Sequence, residues 1–134
     1  MAKNELGFFN PHSEESNLVG IVPQTREEQK AIINGLNSPD HKLSDYINLQ
    51  LNIVNFYIER TEYSNDDNEV REGFRTILID AAGETYTTGS NGVVNALRTI
   101  LAFCGTPDTW EGGLTVRVKE INRGNMRVLT LELV

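Results

Sequence analysis

The chain is 134 residues long, 39% hydrophobic and 23% charged, and its 12 basic and 19 acidic side chains give a formal net charge of −7. That length and apolar content suit one domain with a core that needs no disulfide or metal staple, and the single cysteine, Cys104, reads as packing. No run approaches the roughly 20 apolar residues that span a bilayer, and acidic groups stand where a secretory leader would be apolar, so the expected location is the cytoplasm of the host cell.

Residues 1–24 mix Gly7, Pro11, Gly20 and Pro23 with polar groups and small apolar clusters at Phe8 and Phe9 and at Val19, Ile21 and Val22. This is the pattern of an irregular arm anchored by those clusters. Thr25 is an expected N-cap, because Glu28 three residues later completes a capping box and Ala31, Ile32 and Leu36 follow at helical spacing. Gly35, Asn37 and Pro39 are expected to end that helix, which is too weakly apolar to persist unless it lies on another element.

Residues 47–58 read as a long strand. Leu49, Leu51, Ile53 and Tyr57 fall on one face and Val54, Phe56 and Ile58 on the other, a two-sided pattern that predicts a bend with a bulge. The polar run at residues 64–68 is a turn, and Phe74, Thr76 and Leu78 alternate with Arg75, Ile77 and Ile79 in a second strand, followed by a short third one over residues 84–88. Ser90 is an expected N-cap for a helix carrying Val93, Val94, Leu97, Ile100, Leu101 and Cys104 on one stripe, with Gly105 and Pro107 stopping it. Two further strands, residues 114–121 and 126–134, flank a compact turn at Asn122, Arg123, Gly124 and Asn125.

The order strand, strand, strand, helix, strand, strand predicts a mainly β fold: a five-stranded antiparallel OB-like barrel (oligonucleotide-binding type) with a helix between strands 3 and 4. Residues 1–43 form an N-terminal arm and short helix, packed against or extending from the barrel, and residues 44–134 form the OB-like binding domain.

Reactive chemistry is poorly represented. His12 and His41 sit in polar segments flanking the first helix without metal-ligand spacing, and both read as loop histidines. Asp66, Asp67 and Glu69 lack the ligand pattern of a calcium loop, and Gly89-Ser90-Asn91-Gly92 lacks the lysine and spacing of a phosphate loop. No catalytic residue, metal or cofactor is expected. Binding has better raw material. Arg117, Lys119, Arg123 and Arg127 oppose only Glu120, a local charge of +3 in an acidic chain, and Arg60, Arg71 and Arg75 surround the first hairpin. Tyr57, Tyr63, Phe74, Tyr86 and Trp110 lie along the same strands and loops. Rings that stack on bases beside cations that meet phosphates are what a single-strand groove requires. The expected contact residues are Tyr57, Arg60, Arg75, Tyr86, Trp110, Arg117, Lys119, Arg123 and Arg127.

The runs Asn55-Phe56-Tyr57-Ile58-Glu59-Arg60-Thr61-Glu62-Tyr63, Glu72-Gly73-Phe74-Arg75-Thr76-Ile77-Leu78-Ile79-Asp80 and Gly83-Glu84-Thr85-Tyr86 resemble a family of single-stranded DNA-binding proteins from phages of Gram-positive hosts. The likeness continues through Ser90-Asn91-Gly92-Val93, Gly105-Thr106-Pro107, Trp110-Glu111 and Leu129-Thr130-Leu131-Glu132-Leu133, spanning roughly residues 44–134. It implies an OB-like protein that coats exposed strands during phage genome replication, with single-stranded DNA and phage replication proteins as partners and no membrane. The residues leave self-association open. The competing expectation is an acidic protein-interaction module on the same fold without affinity for free nucleic acid.

Overall fold

The computed structural model describes residues 17–64 and 70–134. The apolar pair Phe8 and Phe9, His12 and the acidic turn carrying Asp66, Asp67 and Glu69 lie outside the described residues, as do the side chains of Tyr63 and Arg71. In chain order the elements are β1 (Leu18–Val19), α1 (Arg26–Asn37), β2 (His41–Lys42), a 3-10 turn (Leu43–Tyr46), β3 (Gln50–Ser64), β4 (Val70–Asp80), β5 (Thr85–Thr88), α2 (Asn91–Cys104), a second 3-10 turn (Pro107–Thr109), β6 (Leu114–Arg123) and β7 (Met126–Leu133).

The strands form one sheet in the order β2-β5-β4-β3-β6-β7, with β1 pairing beside β6 on β3. All pairs are antiparallel except β2 with β5, which is parallel. The molecule is thus a seven-stranded mixed sheet curled into an open half-barrel, which corrects the closed five-stranded antiparallel OB barrel expected from element order. The reason is edge occupancy. A strand has two hydrogen-bonding edges; β4 takes one edge of β5 and the two residues of β2 take the other, leaving β7 nothing to close against. The outer edge of β7 is instead covered at its middle by the start of α2. Ser90 accepts a hydrogen bond from Gly92 N as N-cap and donates its own Oγ hydrogen to the Leu129 carbonyl, 2.8 Å away.

The bend in β3 falls where its two-sided apolar pattern changes. The ladder with β4 shifts register between Ile53 and Asn55, so Val54 is an extra residue and every side chain after it changes face. Leu51, Ile53, Phe56 and Ile58 consequently all reach one core, shared with Leu78, Val116, Val118, Leu131 and the Val93, Val94, Leu97 and Ile100 stripe of α2. Tyr57, Ile77 and Ile79 fall on the opposite face, where they pack with Val19 and with Ile32 of α1. Asn55, buried beside the bulge, ties the N-terminal segment to β3: its Nδ2 donates to the Ile21 carbonyl and its Oδ1 accepts from Ile21 N.

Helix α1 starts at the expected capping box, with Thr25 Oγ1 accepting from Glu28 N and Glu28 Oε1 accepting from Thr25 N. It does not stop at Gly35. That glycine is buried at the closest approach to the sheet, where a Cβ would lie 2.9 Å from Ile77 Cγ2, so it is a packing glycine within the helix.

Two outcomes follow from this packing. A Cβ on Gly92 would sit 2.2 Å from the Leu129 carbonyl oxygen, so Gly92→Ala should destabilise the fold by about 1–3 kcal/mol in chemical denaturation, as overpacking against backbone does. The backbone N–H groups of Gln24 and Thr25 hold the Glu28 carboxyl below its ordinary value of 4.5. Glu28 therefore contributes stability above that value and loses the contribution as pH falls through its lowered folded pKa; a carboxyl NMR titration should show the depression in the native chain and its reduction in Thr25→Ala.

Candidate nucleic-acid interface

The expected rings do not form a platform. Tyr57 and Tyr86 are buried on opposite faces of the sheet, Tyr57 in the α1 cluster with its hydroxyl oxygen accepting from Asn17 Nδ2, and Tyr86 in the α2 core. The β3 bulge sets the face of Tyr57 and the β5 register, with Tyr86 opposite Leu78, sets that of Tyr86; 8% and 4% of their surfaces are exposed. Tyr86 donates its hydroxyl hydrogen to Asp80 Oδ2 at 2.8 Å, and burial followed by that carboxylate raises its pKa well above the phenol range. Trp110 covers the end of α2, where its Nε1 lies 3.1 Å from the carbonyls of both Cys104 and Gly105.

The expected cations divide among several surfaces. Arg117 and Lys119 alternate along β6 on the face turned away from α2, with Arg117 paired to Glu132 across the ladder at 3.1 Å. Arg123 lines a groove between α2 and β7, beside Phe103 and Leu133, and Arg127 reaches Glu120 at 3.5 Å. In register, the β3–β4 and β6–β7 turns lie at opposite ends of β3, because β6 runs past the start of β3 while β4 pairs to its far end. Arg60 is half-buried opposite Phe74 in the ladder, and its backbone N donates to Asn17 Oδ1. Arg75 is the predicted residue that meets other suitable groups.

Those groups line a cleft of about 530 Å3 at the open end of β5, formed by Lys42, Ser44, Thr61, Phe74, Arg75, Thr87, Thr88 and Gly89. Its walls come from four strands and a turn: the β2–β5 pairing sets Lys42 beside Thr87, and the β3–β4 ladder brings Thr61 next to Gly73 and Phe74. The Arg75 guanidinium is oriented by Glu59 Oε1 at 2.7 Å and by the Leu36 carbonyl at the end of α1 at 3.2 Å. Lys42 is exposed and makes no ion pair among the described residues. Among the described residues the cleft lining holds two cations, four hydroxyls and one ring, and no carboxylate. Two other concavities differ: the one between α1 and β5 includes Glu27 and Asp40, and the one beside the first 3-10 turn includes Asp40 and Asp45.

Sequence reasoning missed Lys42, Ser44, Thr61, Thr87 and Thr88 as lining groups. The first two belong to a segment too short for any periodic signal, and they meet β5 only through tertiary pairing. It also missed the role of His41, which is no free loop residue. Its ring stacks on Tyr86 with centroids 4.8 Å apart, Nε2 lies 2.5 Å from Glu84 Oε1, and Nδ1 lies 2.9 Å from the Tyr46 hydroxyl. An ionised carboxylate only accepts, so Nε2–H donates to Glu84, and Nδ1 has the Tyr46 hydroxyl as its partner.

Among the described residues there is no group of three or more side chains able to hold a metal ion, and no helix is long and apolar enough to cross a membrane. Compared with protein-family models, with curated proteins and with solved structures, the chain matches none.

The buried tyrosines predict a stability effect. Tyr86→Phe removes the donor to Asp80 but leaves that carboxylate its bonds from Ala82 N and Glu84 N, so the loss should be about 1 kcal/mol in denaturant unfolding. Because the folded pKa of Tyr86 is raised, its contribution is complete below the ordinary phenol pKa of 10.0 and is lost as pH climbs above it; alkaline unfolding of the native chain should show that component and Tyr86→Phe should lack it.

Proposed function

We propose that this chain binds single-stranded DNA, tolerant of sequence and without covalent chemistry, along the cleft at the open end of β5. The observation that carries the reading is the composition of that cleft: Lys42 and Arg75, the hydroxyls of Ser44, Thr61, Thr87 and Thr88, and the Phe74 ring, with no acidic side chain among the described lining residues and Glu59 bordering it as the partner of Arg75, in a chain of net charge −7. A local positive lining set into a negative molecule confines a polyanion to one path. Lys42 and Arg75 are suited to phosphate oxygens, the hydroxyls to sugar and phosphate, and Phe74 to one base face. In this reading Phe74 takes the part first expected of Tyr57 and Tyr86, while Arg117 and Lys119, at the opposite end of β3, lie outside the path. The resemblance to phage single-stranded DNA-binding proteins points the same way and suggests protection of exposed strands during genome replication in the host cytoplasm.

A protein-interaction module is the second reading, favoured by the groove beside α2, where Phe103 is 86% and Leu133 51% exposed next to the outer edge of β7. Complexes that survive nuclease treatment, from a chain with no affinity for oligonucleotides, would select it.

Fluorescence anisotropy with labelled single-stranded and duplex oligonucleotides across a salt series tests the first reading. Tighter binding to the single strand, weakening as salt rises, is expected, and Lys42→Ala should reduce the log–log salt slope by about 0.7, the value of one single-strand phosphate contact. Equal weak binding to both forms, or none at low salt, rejects it.

A further inference from the structure

One of the two shortest strands of the sheet is anchored by side chains on both sides. β2 consists of His41 and Lys42 alone, paired in parallel with Tyr86 and Thr87. A parallel ladder of two residues supplies too few hydrogen bonds to hold a segment in register by itself. Side chains supply the rest. On one side of the backbone, the Asp40 carboxylate accepts from Thr85 N at 3.0 Å and from Thr85 Oγ1 at 3.2 Å. On the other, His41 is fixed at three points: the Glu84 carboxylate, the Tyr46 hydroxyl and the face of Tyr86. Both ring nitrogens have a hydrogen-bond partner, so the imidazole has no nitrogen left over to act as base or nucleophile.

Successive residues of an extended chain point to opposite faces. With the His41 ring held against Tyr86 on the core side, Lys42 is turned toward Thr87 and the cleft, and Ser44 follows at the start of the 3-10 turn. We propose that His41 is a positioning residue for nucleic-acid binding: by clamping β2 onto β5 it sets the direction in which Lys42 enters the cleft. This rests on the reading of the cleft as a single-strand site. It adds a residue that touches no ligand, and it gives the parallel pairing that keeps the barrel open a function in binding.

The test is a double-mutant cycle on affinity for a labelled single-stranded oligonucleotide at low salt, using Lys42→Ala, His41→Phe and the pair. Phenylalanine keeps a ring against Tyr86 and drops both polar tethers. Each single change should weaken binding about fivefold, and in the Lys42→Ala background His41→Phe should change affinity by less than about 1.5-fold, because its effect passes through Lys42. Full additivity overturns the proposal, since a general loss of structure would act whether or not Lys42 were present. So does wild-type affinity in His41→Phe when Lys42→Ala binds weakly. Amide hydrogen exchange without DNA supplies an independent readout: the Lys42 and Thr87 amides should exchange faster in His41→Phe while the β6–β7 hairpin is unchanged. If the unmodified chain binds no oligonucleotide, the single-strand reading fails; unchanged exchange in the variant then overturns the clamp too, whereas faster exchange keeps it as a positioning device for β2. Should His41→Phe fail to fold, Tyr46→Phe removes one tether, and the same coupling to Lys42 and the same local exchange are expected at smaller size.

Discussion

The competition for one edge of β5 governs this molecule. β5 is four residues long and already pairs with β4, so whichever segment takes its remaining edge decides whether the sheet closes. β2 takes it, held by Asp40 on one side and His41 on the other, and the sheet stays open. An open sheet normally exposes backbone groups at both margins. Here one margin is the short β2, and the other, β7, is shielded at Leu129 by Ser90 and by the close approach of Gly92.

The same arrangement displaces the binding surface from where a closed barrel would offer it. The face of β3 and β4 that carries Tyr57, Ile77 and Ile79 is covered by α1 and joined by Val19 of β1, so its apolar side chains are a second core. What remains accessible on that side lies past the end of α1, where the Leu36 carbonyl orients Arg75 and where Lys42 and the threonines of β5 gather. The N-terminal segment thus contributes structurally twice, as the cover of one sheet face and as the source of the strand that borders the cleft. The concavities beside α1 and the first 3-10 turn are lined in part by Glu27, Asp40 and Asp45, whereas the described lining of the cleft holds no carboxylate.

Much of the candidate site was hidden in the sequence for a physical reason. Arg75 is recognisable as a cation on a strand, but Lys42, Thr87 and Thr88, which line the cleft with it, come from β2 and β5, joined to it through pairings that no local pattern encodes. Tyr57 and Tyr86 look available because strand alternation leaves either face open to water until the neighbours of that face are known. The inserted Val54 then changes the face of every later residue in β3, and α1 covers Tyr57 on the side that results. His41 looks idle for a similar reason: Tyr46 is five residues away, but Glu84 and Tyr86 are more than forty residues distant.

What the sequence by itself determined is whatever depends on near neighbours. The Thr25 capping box, the Ser90 cap, the stripe of α2, its stop at Gly105 and the turn around Gly124 all rest on contacts within a few residues, and each stands where local chemistry places it. The bend of β3 was legible too, since a strand apolar on both faces has to change its burial partway. Tertiary structure alone decided the existence of β1 and β2, the open form of the sheet, the burial of the tyrosines and the gathering of the cleft. Strands of two residues carry no periodicity, and their placement depends on which distant edge is free and which side chains can hold them there.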